Sequence, residues 1–440
     1  MEKFYLVHQG TNEKIDIETW YARCVEDNAY TKQHFEVVYP RIENKEINTS
    51  NFYRSDINGI WKYFDILPLK EEKNIITSGE GNVDLERWDF LEDIAKRYYG
   101  ISLKVYAHRF DNHASTGTWK DLSGSTVASS LKENSINNFV VPSTGNIATA
   151  FSRYLSDANI NFYAFIPKDS SQMQEAEIGC FGQKVFRVDG DYHTTKKLAV
   201  EFANENKFLM AAGTFDPRRV EAKKTMAYEW MRKIKELPTA YIQGLSGGTG
   251  PIGIEKGCRE MISLGMASQQ PKLLLVQSSK CAPMAHGYKK AAENNFSGDW
   301  LNDYPVYDDP ETEITTLATG NPSAYPYLAN LVKKSNGFIN EFDETKVIDI
   351  IRIVSFYKAV RVGPAAAVGL GGYFEALKNK QLSDGESVVI NIGEGIRRSP
   401  DFMIRMIDDS KMVQSVGDCA PFDRATIKKN IDGLIESLLD

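Results

Sequence analysis

Asn112-His113-Ala114-Ser115-Thr116-Gly117-Thr118-Trp119-Lys120-Asp121 is a loop of small and hydroxyl-bearing residues that ends in one lysine, and Leu122 to Leu131 behind it reads as a helix. A lysine at the mouth of a helix meets the positive end of the helix dipole, which disfavours a cation. Burial there would weaken its hold on a proton further and make Lys120 a usable amine nucleophile, as Schiff-base chemistry needs. Taken alone, a solvated surface lysine is the plainer reading. The surroundings of the loop decide.

From about residue 101 short apolar runs alternate with amphipathic stretches. Runs rich in β-branched and aromatic residues lie at 103–106, 139–142, 161–166, 184–188, 240–243, 273–276 and 388–391. Helices are predicted between them at 147–158, 192–206, 219–236, 253–264, 323–333, 345–358 and 364–379. That alternation implies an α/β fold of βαβ units, with mostly parallel sheets covered by helices on both faces. Ligands in such folds sit beyond the carboxyl ends of the strands, where loops meet helix N-termini. Residues 1–70 stand apart as an N-terminal extension with strand character at 4–7 and 35–39. The turn Thr77-Ser78-Gly79-Glu80-Gly81-Asn82 is placed at the rim of a cleft.

With 440 residues, 42% of them hydrophobic, the chain can bury a large core and divide into two or three domains. A net charge of −7 argues against nucleic acid or an anionic membrane as partner. No window approaches the ~20 apolar residues of a membrane span. Cys24, Cys180, Cys258, Cys281 and Cys419 are widely spaced without a CxxC pair, which suits a reducing, cytoplasmic setting. Met1-Glu2-Lys3-Phe4 does not begin a signal peptide. The histidines show no HxxxH or HxxE spacing, so no catalytic metal is expected, and no GxSxG elbow suggests a hydrolase.

Two further loops carry chemistry. Pro142-Ser143-Thr144-Gly145-Asn146 joins a strand to a helix; its hydroxyls and N–H groups suit a carboxylate, and Asn146 can donate to a phenolate-type oxygen. An ordinary helix cap would use the same residues. Gln243-Gly244-Leu245-Ser246-Gly247-Gly248-Thr249-Gly250-Pro251 lets several backbone N–H groups converge on one phosphate. It lacks the GK[ST] of a Walker loop and the GxGxxG of a dinucleotide site. A reactive lysine, a carboxylate loop and a phosphate loop, in that order on an α/β chain, are the parts a pyridoxal phosphate enzyme needs.

From about residue 58 to 400 the chain resembles the fold-type II pyridoxal phosphate enzymes, in the branch of threonine synthase and cysteate synthase. Ser78 to Asn82 resembles TLGEGNTPL, with Val83 and Asp84 in place of its Thr-Pro. Ser115 to Asp121 resembles PTGSFKD, which makes Lys120 the Schiff-base lysine. Ser143 to Asn146 matches STGN, whose asparagine touches the cofactor's O3′ and whose loop takes the substrate carboxylate. Ser246, Gly247, Gly248, Thr249 and Gly250 fall where the family grips the cofactor phosphate. Asp216 to Glu221 with Lys224 resembles NP-x-R-x-E-x-x-K-T. The stretches 276–284, 364–368 and 390–395 look closer to cysteate synthase.

The resemblance implies a large cofactor-binding domain from 71–129 and 236–440, a small mobile domain at 130–235, and a homodimer. Residues 1–70 look like the family's zinc ribbon with its cysteines lost, so no zinc is expected. Thr116, Ser143, Thr144, Gly145, Asn146, Arg109 and Arg219 are the substrate-binding candidates, Arg109 and Arg219 for a phosphate or sulfonate. Exposed strand-end polarity is the alternative for His108 and Arg109, and a solvated helix face paired to Glu221 for Arg218. Two departures stand out. A hydroxyl near position 392 usually faces the pyridine nitrogen, whereas this loop reads Asn391-Ile392-Gly393-Glu394-Gly395. Glu394 pointing inward would protonate that nitrogen; pointing outward it would meet solvent. The glutamate that precedes Pro-Ala in threonine synthase is Gly363 here. The implied reaction is β-elimination and replacement on an O-phospho-L-serine-like substrate. Alternatives are threonine synthase chemistry on O-phosphohomoserine, an ammonia-lyase, and an inactive ligand-binding or scaffold relative.

Overall fold

The computed structural model describes residues 2–440 apart from Thr144, Asp169, Ser171, Asp191, residues 406–411 and the side chain of Tyr192. Its strands are β1 (Tyr5–His8), β2 (Lys14–Ile15), β3 (Phe35–Val38), β4 (Leu85–Arg87), β5 (Lys104–Arg109), β6 (Asn138–Pro142), β7 (Asn161–Pro167), β8 (Lys184–Val188), β9 (Leu209–Met210), β10 (Ala240–Gly244), β11 (Lys272–Ser278), β12 (Phe338–Phe342) and β13 (Ser387–Ile392). They form a six-stranded sheet in the order β12-β11-β10-β13-β5-β4, a four-stranded sheet β8-β7-β6-β9 and a three-stranded sheet β2-β1-β3. Every pairing in the six-stranded sheet is parallel except β4 with β5. The four-stranded sheet is wholly parallel. The two expected α/β layers are both present.

Burial explains the strand sequences. β13 reads Ser-Val-Val-Ile-Asn-Ile and is buried at every position, as a central parallel strand covered on both faces must be. The helix Pro364–Lys378 lies against this sheet so closely that a Cβ on Gly372 would stand 2.0 Å from Val276 Cγ2. The helix Pro217–Ile234 packs along both Thr249–Ser263 and Asp121–Glu133, and the last of these packs on Asn146–Asp157, which leads into the four-stranded sheet.

The N-terminal residues, expected as an appendage, are built into the main body. One apolar cluster runs from Phe4 and Trp20 through Leu122 and Phe139 to Trp230 and Leu273. The His34 ring stacks on Phe215 at 4.3 Å between centroids, and the Tyr21 hydroxyl accepts from Arg218 at 3.0 Å. No helix among the described residues is long and apolar enough to cross a membrane.

The topology brings four loops to one end of the sheets. The lysine loop follows β5, the Ser143–Gly145 loop follows β6, the glycine loop follows β10, and Gly393–Gly395 follows β13. All lie at carboxyl strand ends, as the α/β rule requires.

Candidate active site

The lysine loop is fastened along its whole length. The Trp119 N–H donates to the Gly393 carbonyl at 2.9 Å and the Gly395 N–H to the Gly117 carbonyl at 3.3 Å. Asp121, fully buried, accepts from the Thr116 hydroxyl at 2.7 Å and from the Thr116 N–H at 3.0 Å. Its other neighbour is His113 Nδ1 at 2.6 Å. The His113 Nε2 in turn accepts from the Gly81 N–H at 3.3 Å, which ties the two-glycine turn to the loop.

Lys120 occupies the cap position of the helix Asp121–Glu133. Its ammonium group makes no hydrogen bond or ion pair among the described residues and stands 4.9 Å from the centroid of the Trp119 ring. The residue is half-buried. Loss of hydration and the nearby Arg219 guanidinium bring its pKa down to about 8, against an opposing pull from Glu394. Below that value the amine is protonated and unreactive. Labelling of Lys120 by an amine reagent, read by peptide mass across pH, should therefore rise through a midpoint near 8 and level off above it. A midpoint at the ordinary 10.5 would contradict this account of the site.

The glycine loop, which meets the Trp119 ring beside Lys120, carries donors without acceptors. The helix Thr249–Ser263 is capped by Gly248, at φ +100°, with no side-chain cap bond. The N–H groups of Ser246, Gly247 and Gly248 donate to no protein acceptor among the described residues. Side chains hold the loop open around them: Ser246 Oγ lies 2.8 Å from Thr319 Oγ1, and Thr249 Oγ1 donates to the Thr214 carbonyl at 3.1 Å. Gly250 is needed for packing, because its Cβ would stand 2.3 Å from the Trp119 ring. Arg219 donates to the Gly213 carbonyl at 2.8 Å, while its buried Nε has no partner among the described residues. Lys223 is buried too, donates to the Trp119 carbonyl and stands 4.1 Å from the centroid of the Trp119 ring. Desolvation, then Lys120 and Arg219, hold its pKa well below the ordinary lysine value. Unpartnered N–H groups at a helix N-terminus beside clustered amines and a guanidinium suit a phosphate-bearing group.

On the opposite wall, Glu394 points inward and is 3% exposed, which excludes the solvent-facing alternative. Its Oε2 accepts from Asn146 Nδ2 at 2.6 Å and its Oε1 from the Ala365 N–H at 3.0 Å. Burial pushes its carboxyl up, while Ala365, Asn146, Arg398 and Lys120 pull it back. The change to glycine at 363 is what makes room, since a Cβ there would stand 2.7 Å from Glu394 Cγ. Ser143 Oγ accepts from the Gly145 N–H at 3.2 Å, and a Cβ on Gly145 would meet nothing closer than 3.9 Å, so that loop borders open space. Thr144 lies outside the described residues.

Other expected residues are engaged elsewhere. Arg109, a candidate for a substrate phosphate, binds Asp111 through Nε at 2.8 Å and Glu86 through a terminal nitrogen at 2.5 Å, so its guanidinium is already paired. The Thr116 hydroxyl, a substrate-contact candidate, donates to Asp121. His108 is a core residue whose Nδ1 accepts from Trp230 at 3.1 Å, and burial lowers its pKa to about 3. Arg218 is fully buried on Asp216, not solvated, and Lys224 pairs with Glu221 at 2.5 Å in the core. Residues that sequence reasoning did not single out for the site are Trp119, Thr214, Lys223, Thr319 and Arg398. Only Trp119, in the position of the motif's phenylalanine beside Lys120, carried a local signal.

The chain is similar to known proteins. A family model described as pyridoxal-phosphate dependent enzyme matches residues 76–393. The threonine synthase of Methanocaldococcus jannaschii is 23% identical over 377 residues, covering 85% of this chain and 89% of its own. The cysteate synthase of Methanococcoides burtonii is 26% identical over 345 residues, covering 78% and 80%. Among solved structures, the O-acetyl serine sulfhydrylase isoform 3 of Entamoeba histolytica superposes with a TM-score of 0.62 at 14% identity, over 82% of this chain and 94% of that one, which speaks to fold.

Proposed function

Because the chain belongs to the family of pyridoxal-phosphate-dependent enzymes, we propose that it carries out elimination and replacement at the β-carbon of an O-phosphorylated amino acid, O-phospho-L-serine being the best fit. When bound, the cofactor supplies an electron sink for the charge left at Cα by loss of a proton. Lys120 is the amine that carries it, and the N–H groups from Ser246 to Gly250 hold its phosphate. Asn146 and Glu394 would help to hold it. The Ser143–Gly145 loop, with Thr144, takes the substrate carboxylate. Arg219 takes the substrate phosphate, and Lys120 Nζ accepts the Cα proton. Lys120 takes the Cα proton, Cβ–O breaks and phosphate leaves, an external nucleophile such as sulfite bonds to Cβ, and the proton returns to Cα, so that the net change is Cβ–O exchanged for a bond to the nucleophile. We place the enzyme in the cytoplasm as a homodimer; the free, exposed Cys180 and Cys419 suit a reducing compartment.

The observation that carries this reading is that the glycine-loop N–H groups and Arg219 Nε are left without acceptors, and that the Arg219 charge acts on an amine that is itself unpaired among the described residues. One anion site fits the cofactor, and the second asks for a charged substrate. Broad likeness to threonine synthase supports a second reading, in which O-phosphohomoserine and water replace O-phosphoserine and sulfite. Cofactor-loaded protein should release inorganic phosphate from O-phospho-L-serine in the presence of sulfite, and not from O-phospho-L-homoserine. The reverse pattern would select the second reading. Release from neither would overturn both.

A further inference from the structure

Arg398 belongs to no motif, yet it ends a chain of hydrogen bonds that reaches the heart of the site. Its side chain is only 5% exposed. The Nε donates to Asn146 Oδ1 at 3.0 Å, one terminal nitrogen to Thr149 Oγ1 at 3.2 Å, and the other to the Glu177 carboxylate. The first two acceptors lie on the helix Asn146–Asp157 and the third on Gln172–Cys180, whereas Arg398 follows β13 of the six-stranded sheet. One guanidinium thus joins the two halves of the cleft.

The polarity of this chain is fixed by chemistry. A guanidinium has donors and no acceptor, so the atom of Asn146 that faces Arg398 must be its oxygen. The amide NH₂ is then turned towards Glu394, where Oε2 receives it at 2.6 Å while Oε1 receives the Ala365 N–H. Both carboxyl oxygens are acceptors, the pattern of an ionised carboxylate. Turning the amide over would set NH₂ against guanidinium and C=O against carboxylate, two donor–donor and acceptor–acceptor contacts in a buried place.

We propose that Arg398 is a positioning residue that sets the orientation of the Asn146 amide, and through it holds Glu394 as an acceptor-only anion facing the cofactor ring. Glu177 balances its charge and Thr149 fixes its angle. The charged groups near Glu394 are Lys120 and Arg398. The proposal rests on the reading that Asn146 and Glu394 line the cofactor side of the cleft, and it is independent of which amino acid is the substrate.

The test is a mutant cycle on the cofactor-loaded full chain, read by the pyridoxal phosphate dissociation constant and the visible absorption maximum. Arg398→Met and Asn146→Ala should each weaken cofactor binding about tenfold, the scale of a lost hydrogen bond to a charged group. Because one acts through the other, the double variant should be no weaker than the worse single one. Both single variants should move the absorption maximum in the same direction. Arg398→Gln, which keeps a donor towards Asn146, should recover most of the affinity. Losses that multiply to about a hundredfold in the double variant, or an Arg398→Met protein with an unmoved absorption maximum, would overturn the proposal. Neither result depends on phosphate release, so a wrong substrate would leave this test standing.

Discussion

Replacing Lys120 by alanine is expected to abolish turnover while leaving the fold intact. The loss should be on the order of 10³-fold or more, since the variant lacks both the amine that carries the cofactor and the base for the Cα proton. The fold should survive because the Lys120 ammonium has no hydrogen bond or ion pair to break among the described residues. Removing it also relieves repulsion with Arg219, the charge that helps lower its pKa. A melting temperature equal to or above that of the parent, together with lost phosphate release, is the expected pair of results. Retained turnover would return Lys120 to the status of an ordinary lysine and favour a relative that binds ligand without the chemistry.

Glu221→Ala should be among the most destabilising single changes in the molecule. Glu221 is fully buried, pairs with Lys224 at 2.5 Å and with Lys256, and accepts from the Tyr39 hydroxyl at 2.9 Å. Glu260 is the other carboxylate of the group, 3.1 Å from Lys224. The alanine variant leaves two buried ammonium groups to share one carboxylate, a situation that costs roughly 3–5 kcal/mol. Tyr39 follows β3, and Lys256 also donates to the Val37 carbonyl within it, so the damage should spread to the N-terminal residues. Limited proteolysis should cut within the first 58 residues faster in the variant than in the parent. An unchanged denaturation midpoint would contradict this.

Much of this architecture was legible in advance. Stretches such as 240–243 and 388–391 each open with three apolar residues in a row, and they became part of β10 and β13 of a parallel sheet. β12 escaped notice because its sequence Phe-Ile-Asn-Glu-Phe places two polar residues in the middle. The helix Asp89–Tyr99 was not predicted because five charged residues are interspersed with its four buried apolar ones. In the site, Lys120, the Ser143–Asn146 loop and the glycine loop are each contiguous, and contiguous chemistry is readable. Arg398 is not, since it meets Asn146 across 252 residues of chain. Charge patterns misled in a consistent direction. Arg109, Arg218 and Lys224 suggest a ligand or solvent in the sequence, but each meets a carboxylate that only folding supplies or brings into line.

The claim that Lys120 carries the cofactor is tested most directly by borohydride reduction of the pyridoxal-phosphate-loaded protein, followed by peptide mapping. The account predicts a visible absorption band that reduction bleaches, and a single phosphopyridoxyl modification on the peptide that contains Lys120. Modification of Lys223 or a surface lysine instead, or a protein that stays colourless with the cofactor, would contradict it.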